Sequence, residues 1–126
     1  MGVTHTNAQS NTGTCTATAP AGPGVVWNLS SLSVSMAGPS SGVNAKLVVY
    51  DGAVGGTVLF AAFLNGPGAI GTGIGSVGTI QEIPLPRTPQ GIQCLQGSPG
   101  NAMNVQVIGT GANQVSINAR FGDGLP

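Results

Sequence analysis

Val115, Ile117, Ala119 and Phe121 alternate with Ser116, Asn118 and Arg120, and that period of two most restricts what this chain can become. Side chains alternate across a strand, so such a segment has one apolar and one wet face and has to lie on the surface of a packed sheet. The same period runs from Val25. Val25, Trp27 and Leu29 share one parity, and Leu32, Val34 and Met36 the other. A one-residue change of parity inside a continuous strand is the signature of a β-bulge, so a long strand is expected from Val25 to Met36, bent at Ser30-Ser31.

Further strands are expected at Ala45 to Tyr50, closed by the turn residues Asp51-Gly52, and at Thr57 to Leu64, whose nearly continuous apolar run suggests a central strand. Thr79 to Leu85 resumes a strand, and Pro84 and Pro86 place it at a sheet edge or exit. Gln90 to Gly97 is a short element with Ile92, Cys94 and Leu95, and Asn101 to Ile108 precedes the last strand. Gly38 to Gly42 is a turn, and Asn65 to Gly78, crowded with glycine, is a long loop. About seven short strands divided by Gly and Pro, with no helical period, predict an all-β fold, an antiparallel β-sandwich or jelly roll.

The first residues, Met1 to Pro20, are rich in Thr, Asn, Ser and Ala without an apolar period, and Pro20 to Gly24 punctuates the chain after them. They read as an extended amino-terminal arm, residues 1–23, ahead of a sandwich domain at residues 24–126. The arm is expected either to be disordered or to fold onto a neighbouring subunit.

Charge narrows the function. Only 5% of the residues are charged, with a net charge of zero, against about 25% in an average soluble domain. Lys46, Arg87 and Arg120 stand singly among Asp51, Glu82 and Asp123. No basic cluster exists to neutralise a phosphate backbone, so no nucleic-acid partner is expected. Apolar runs fall well short of the roughly 20 residues of a membrane span, so no membrane partner is expected, and the amino terminus does not read as a secretion signal. Without the repulsion that keeps soluble proteins apart, self-association or a permanent partner is expected, the alternative being a monomer kept soluble by Ser, Thr, Asn and Gln alone.

The residues that could do chemistry are few. Gly73-Ile74-Gly75-Ser76-Val77-Gly78 has the spacing of a dinucleotide loop, but the strand-like segment after it lacks the helix such a loop needs. His5 lies in the arm, distant in sequence from Cys15, Cys94 and the three acids, so neither a Cys-His pair nor paired carboxylates is expected. The acids read as solubilising or salt-bridged. Neither metal nor cofactor is expected. The two cysteines read as buried free thiols, with a single bridge the alternative. Asn28-Leu29-Ser30 matches a glycosylation sequon inside a strand, and Trp27 reads as core rather than as a ligand platform. No catalytic residue is assigned, and the chain is not expected to be an enzyme.

Three stretches, Ala45-Lys46-Leu47-Val48-Val49-Tyr50-Asp51-Gly52, Val58 to Leu64, and Gly91-Ile92-Gln93-Cys94-Leu95-Gln96-Gly97, are similar to a small β-sandwich module of head decoration (cement) proteins of tailed bacteriophages. The resemblance spans about Val25 to Phe121 and departs from the module in the glycine-rich insertion at Asn65 to Gly78. It implies a protein made in the host cytoplasm and carried on the capsid surface of the virion, clamping the major capsid protein as a homo-oligomer, a dimer or trimer. The alternative is a carbohydrate- or receptor-binding module of a tail fibre or other virion appendage. One Trp and one Tyr are few for sugar platforms.

Overall fold

The computed structural model describes residues 4–37, 45–64, 79–87, 89, 91, 92, 94–109 and 114–123. Nine strands run in chain order: β1 Thr4–Thr12, β2 Thr14–Ala19, β3 Trp27–Ala37, β4 Ala45–Asp51, β5 Thr57–Leu64, β6 Thr79–Glu82, β7 Leu95–Gln96, β8 Met103–Ile108 and β9 Gln114–Asp123. One sheet has the order β1-β9-β3-β6, with the two-residue β7 beside β3, and the other has the order β2-β8-β4-β5. All the pairings are antiparallel.

Setting β7 aside, the first strand pairs with the last, the second with the second-last, β3 with β6 and β4 with β5. That is a hairpin of strand pairs rolled into two facing sheets, the jelly roll among the two-sheet alternatives. The side chains between the sheets make one core. Leu29, Val34, Met36, Ile117 and Phe121 from one sheet face Leu47, Val49, Met103, Val105 and Val107 from the other, and all are at most 1% exposed.

The details of β3 and β9 follow from their residues. Val115, Ile117, Ala119 and Phe121 are buried, and Asn118 and Arg120 between them are exposed. On β3 the register slips between Leu29, opposite Phe121, and Ser31, opposite Arg120, leaving Ser30 as the extra residue. Ser30 Oγ donates to the Arg120 carbonyl at 3.1 Å, so the serine bonds to the strand at the position where the ladder is interrupted. The bulge lets both Leu29 and Leu32 point inward.

The amino-terminal segment is extended, but it lies on its own domain. β1 pairs with β9 from Thr4↔Gly122 to Thr12↔Gln114, and β2 pairs with β8 from Thr14↔Ile108 to Ala19↔Met103. Gly13, at φ 83°, turns the chain from one sheet to the other, and its carbonyl accepts from Gly109 N at 3.0 Å. The expectation of an arm separate from the core is therefore corrected. Cys15, Ala17 and Ala19 sit in the same core as β3 to β9, and residue 23 does not divide two units. The physical reason is that alanine and cysteine fill a narrow space between sheets without producing a strong apolar signal.

A second correction concerns β5. It is an edge strand, hydrogen-bonded to β4 alone among the described residues, not a central one. β6 is at the edge of the other sheet among the described residues, in line with the expectation from the prolines that follow it. The loop at Asn65 to Gly78, with its Gly-x-Gly-x-x-Gly spacing, and the turn at Gly38 to Gly42 lie outside the described residues.

Candidate docking surface

Residues paired across an antiparallel ladder project to the same face, so the registers give the outer surface of the four-stranded sheet row by row. One row reads Thr14, Ile108, Lys46, Phe63; the next Thr16, Gln106, Val48, Ala61; the third Thr18, Asn104, Tyr50, Val58. The β2 end of each row is a threonine. Toward β5 the exposed side chains are mostly apolar: Phe63 is 78% exposed, Val58 53% and, on β8, Ile108 42%, whereas Val48 between them is 3% exposed and Lys46 is the one charge. The outer face of the other sheet is different in kind: its rows pair Ser31 with Arg120, Ser33 with Asn118, and Ser35 with Ser116.

The exposed apolar end coincides with a strand edge that is open among the described residues. Natural edge strands are blunted by charge, proline, brevity or a covering element. β5 has eight residues and, apart from Thr57, is wholly apolar. β6 has four residues, and β1 and β2 are rich in Thr and Asn. The apolar run in β5 was legible in the sequence, but its exposure was not. A run apolar on both parities fits a doubly buried strand and equally an edge strand whose outer face is left bare.

The described residues singled out for chemistry stand on different elements. His5 lies opposite Phe121 in the β1–β9 register, Cys15 is on β2, and Cys94 precedes β7. Both thiols are free and buried, and burial pushes both above the usual thiol range. Trp27 is 6% exposed, meets the Phe121 ring edge-on at 6.3 Å and 69°, and donates from Nε1 to the Pro20 carbonyl at 2.7 Å. It is a core residue. Asn28 is 4% exposed, which hides the sequon from any modifying enzyme while the domain is folded. Among the described residues no three His, Cys, Asp or Glu side chains lie close enough to hold a metal ion. Among the same residues no helix is long and apolar enough to cross a membrane.

Two of the acids organise loops at one end of the sandwich. Asp51, at the end of β4, accepts from Ser98 N at 3.0 Å, Ser98 Oγ at 2.5 Å and Asn101 Nδ2 at 3.2 Å. Next to it Gly52, at φ 93°, donates to the Ala102 carbonyl, and its own carbonyl accepts from Asn104 Nδ2 at 2.7 Å. Asp123 accepts from Val26 N at 3.1 Å. These carboxylates tie backbone segments together, a role the sequence reading did not give them.

The Ser98 hydroxyl is the main reason that the Asp51 carboxyl titrates below the ordinary range; partial burial opposes it, and Ser98 N and Asn101 add to the lowering. A depressed folded-state pKa contributes stability that is complete above the unfolded value, roughly 3.9, and is lost as pH falls through the folded one. Asp51→Ala is expected to cost about 1–2 kcal/mol at pH 7, the low end for bonds to a charged acceptor because the site is partly exposed. Asp51→Asn is expected to flatten the fall in melting temperature below about pH 4. Thermal melts of the three proteins between acid and neutral pH check both effects.

No protein-family model matches the chain, and no curated protein matches it in sequence. Among solved structures it is similar to a family two carbohydrate esterase from Cellvibrio japonicus, at 12% identity and a TM-score of 0.36, over 99% of this chain and 35% of that one. It is also similar to a chain of Broad Bean Stain Virus, at 8% identity and a TM-score of 0.39, over 99% of this chain and 93% of that one. The chain thus spans about a third of the esterase chain's length. Both likenesses are faint, and the fold assignment stands on the strand order alone.

Proposed function

We propose that this chain is a structural virion protein that decorates or cements a bacteriophage capsid, binding the major capsid protein across joints between coat subunits, and that it is not an enzyme. The observation that carries the reading is the asymmetry of the two outer faces. One carries exposed apolar side chains on β5 and at the end of β8, Phe63, Val58 and Ile108, with Lys46 as its cation, and the other is a field of serine, asparagine and a single arginine. A neutral, largely uncharged module with one greasy face suits attachment by buried area and shape, while the hydroxyl-rich face suits water. The resemblance to cement proteins in the Ala45 to Gly52 and Val58 to Leu64 stretches falls on this same face. A sugar-binding role draws less support, because the one tryptophan is in the core.

The test mixes the purified protein with undecorated capsids and counts bound copies. A carboxylate carried into an apolar contact loses its hydration without a partner, at an effective cost of several kcal/mol, so Ile108→Glu is expected to weaken binding at least about tenfold. Asn118→Glu, on the opposite face, is expected to leave it unchanged. Occupancy is expected to persist at high salt, because apolar contacts are not screened. Undecorated capsids that bind no protein, or a loss of binding with Asn118→Glu alone, would remove the reading.

A further inference from the structure

We propose that the edge of β5, unpaired among the described residues, is a self-association surface that takes the β5 strand of a second copy of this chain, antiparallel, about a two-fold axis at Ala61. The inference does not rest on the capsid reading; it rests on the sequence of the edge itself. An unpaired strand edge presents a row of N–H and C=O groups that a second strand satisfies most completely. The question is which strand fits.

β5 is complementary to itself when reversed. On its paired side the register with β4 runs Val48↔Ala61, Val49↔Phe60 and then Tyr50↔Val58, so Leu59 is the extra residue of a bulge. Repeating that pattern on the open side with Ala61 opposite its own copy places Ala62 opposite Phe60 and Phe63 opposite Val58, on both sides of the axis. Every bulky residue then meets a smaller one, and the smallest residue lies on the axis where two side chains must share one space. On the outer face the joined row reads Lys46, Phe63, Val58, Tyr50, which covers the two most exposed large apolar side chains, Phe63 and Val58, with one another.

Charge also permits it. β5 carries none, and the chain is neutral. Lys46 is the one cation in the three outer rows, and in this arrangement it lies beyond Phe63, at the corner diagonally opposite its counterpart. Three inter-strand spacings across and about four residues along separate the two ammonium groups by on the order of 20 Å, well beyond the screening length of about 8 Å at physiological salt. Joining the copies makes a continuous eight-stranded sheet that ends in β2 on either side, with the Ile108 of each copy on the second strand from the end and the hydroxyl-rich faces of both copies turned away.

The test is sedimentation velocity on the full chain over a range of concentrations, followed by two variants at the axis. The unmodified protein is expected to sediment as two chains. Ala61→Lys places two ammonium groups against one another at the axis, a juxtaposition that costs several kcal/mol, and is expected to raise the dissociation constant at least about a hundredfold. Ala61 is exposed in the single chain, so the variant is expected to keep its far-ultraviolet spectrum and melting temperature. Ala61→Cys is expected to form an intermolecular disulfide on mild oxidation, since directly opposed strand residues lie within disulfide reach. Lys46→Cys, two strands from the partner, is expected to form none, and the buried Cys15 and Cys94 do not compete. A protein that sediments as a single chain or as a trimer, or Ala61→Cys that fails to cross-link while the dimer persists, overturns the pairing. Capsid attachment is a separate measurement: a monomer that still decorates capsids removes this inference and leaves the proposed function standing.

Discussion

Removal of residues 1–19 is expected to abolish cooperative folding. The segment supplies β1, matched to β9 over nine register positions, and β2, matched to β8 over six. Without them the outer edges of β8 and β9 lose their ladder partners, and Val105 and Val107, both at 0% exposure, lose Ala17 and Cys15 beside them. The Pro20 carbonyl that holds Trp27 Nε1 is left at a frayed terminus. Each lost ladder bond contributes roughly 0.5–1.5 kcal/mol, and about a dozen are removed together with part of the core. The total reaches the whole stability of a typical domain, about 5–15 kcal/mol. The expected result is a truncated chain with no sharp thermal transition and increased binding of a hydrophobic dye. A truncated protein that melts cooperatively within a few degrees of the full chain would show that β1 and β2 are an accessory to the fold. Loss of capsid attachment by such a truncation therefore cannot be assigned to an arm until its folding has been measured.

That outcome turns on a part of the fold the sequence half concealed. Thr14, Thr16 and Thr18 alternate with Cys15, Ala17 and Ala19, which is a period of two, but one written in small residues against β-branched ones. Burial of alanine changes the hydrophobic pattern little, so the parity is visible only once the core is known to be narrow there. β1 is harder still: Thr4 to Thr12 is polar on both parities but for Ala8, and its place is set by the long β9 beside it rather than by its own pattern. Where residues were large the sequence was explicit. The parity change at Ser30-Ser31 located the β3 bulge, and the alternation from Val115 to Phe121 assigned both faces of β9.

The candidate surface was legible in composition and not in position. Neutrality pointed to docking, and the Thr57 to Leu64 run supplied the residues, but an apolar run does not say whether a neighbouring strand lies beyond it. That depends on the strand order, which is a property of the whole roll. Asp51 was similarly opaque. Its partners Ser98 and Asn101 are 47 and 50 residues away, and no local pattern announces a carboxylate that ties one loop to another.

The core makes the sharpest quantitative demand. Phe121 is the largest of the fully buried side chains, it stands opposite Leu29 just before the β3 bulge, and its ring meets Trp27 edge-on. Phe121→Ala removes the ring's transfer free energy, its aromatic contact and its volume at once, in a place where two ladders hold the backbone and limit collapse. The expected cost is about 3–5 kcal/mol, or a melting temperature lower by roughly 10–20 °C for a chain of this size. Phe121→Leu keeps most of the apolar volume and is expected to lose less than half as much. Arg120→Ala, one residue earlier on the exposed face, is expected to stay within about 0.5 kcal/mol. The three variants together test the alternation itself. Equal losses at 120 and 121 would mean that β9 does not present one face to a core, and the two-sheet roll would have to be redrawn around a different register.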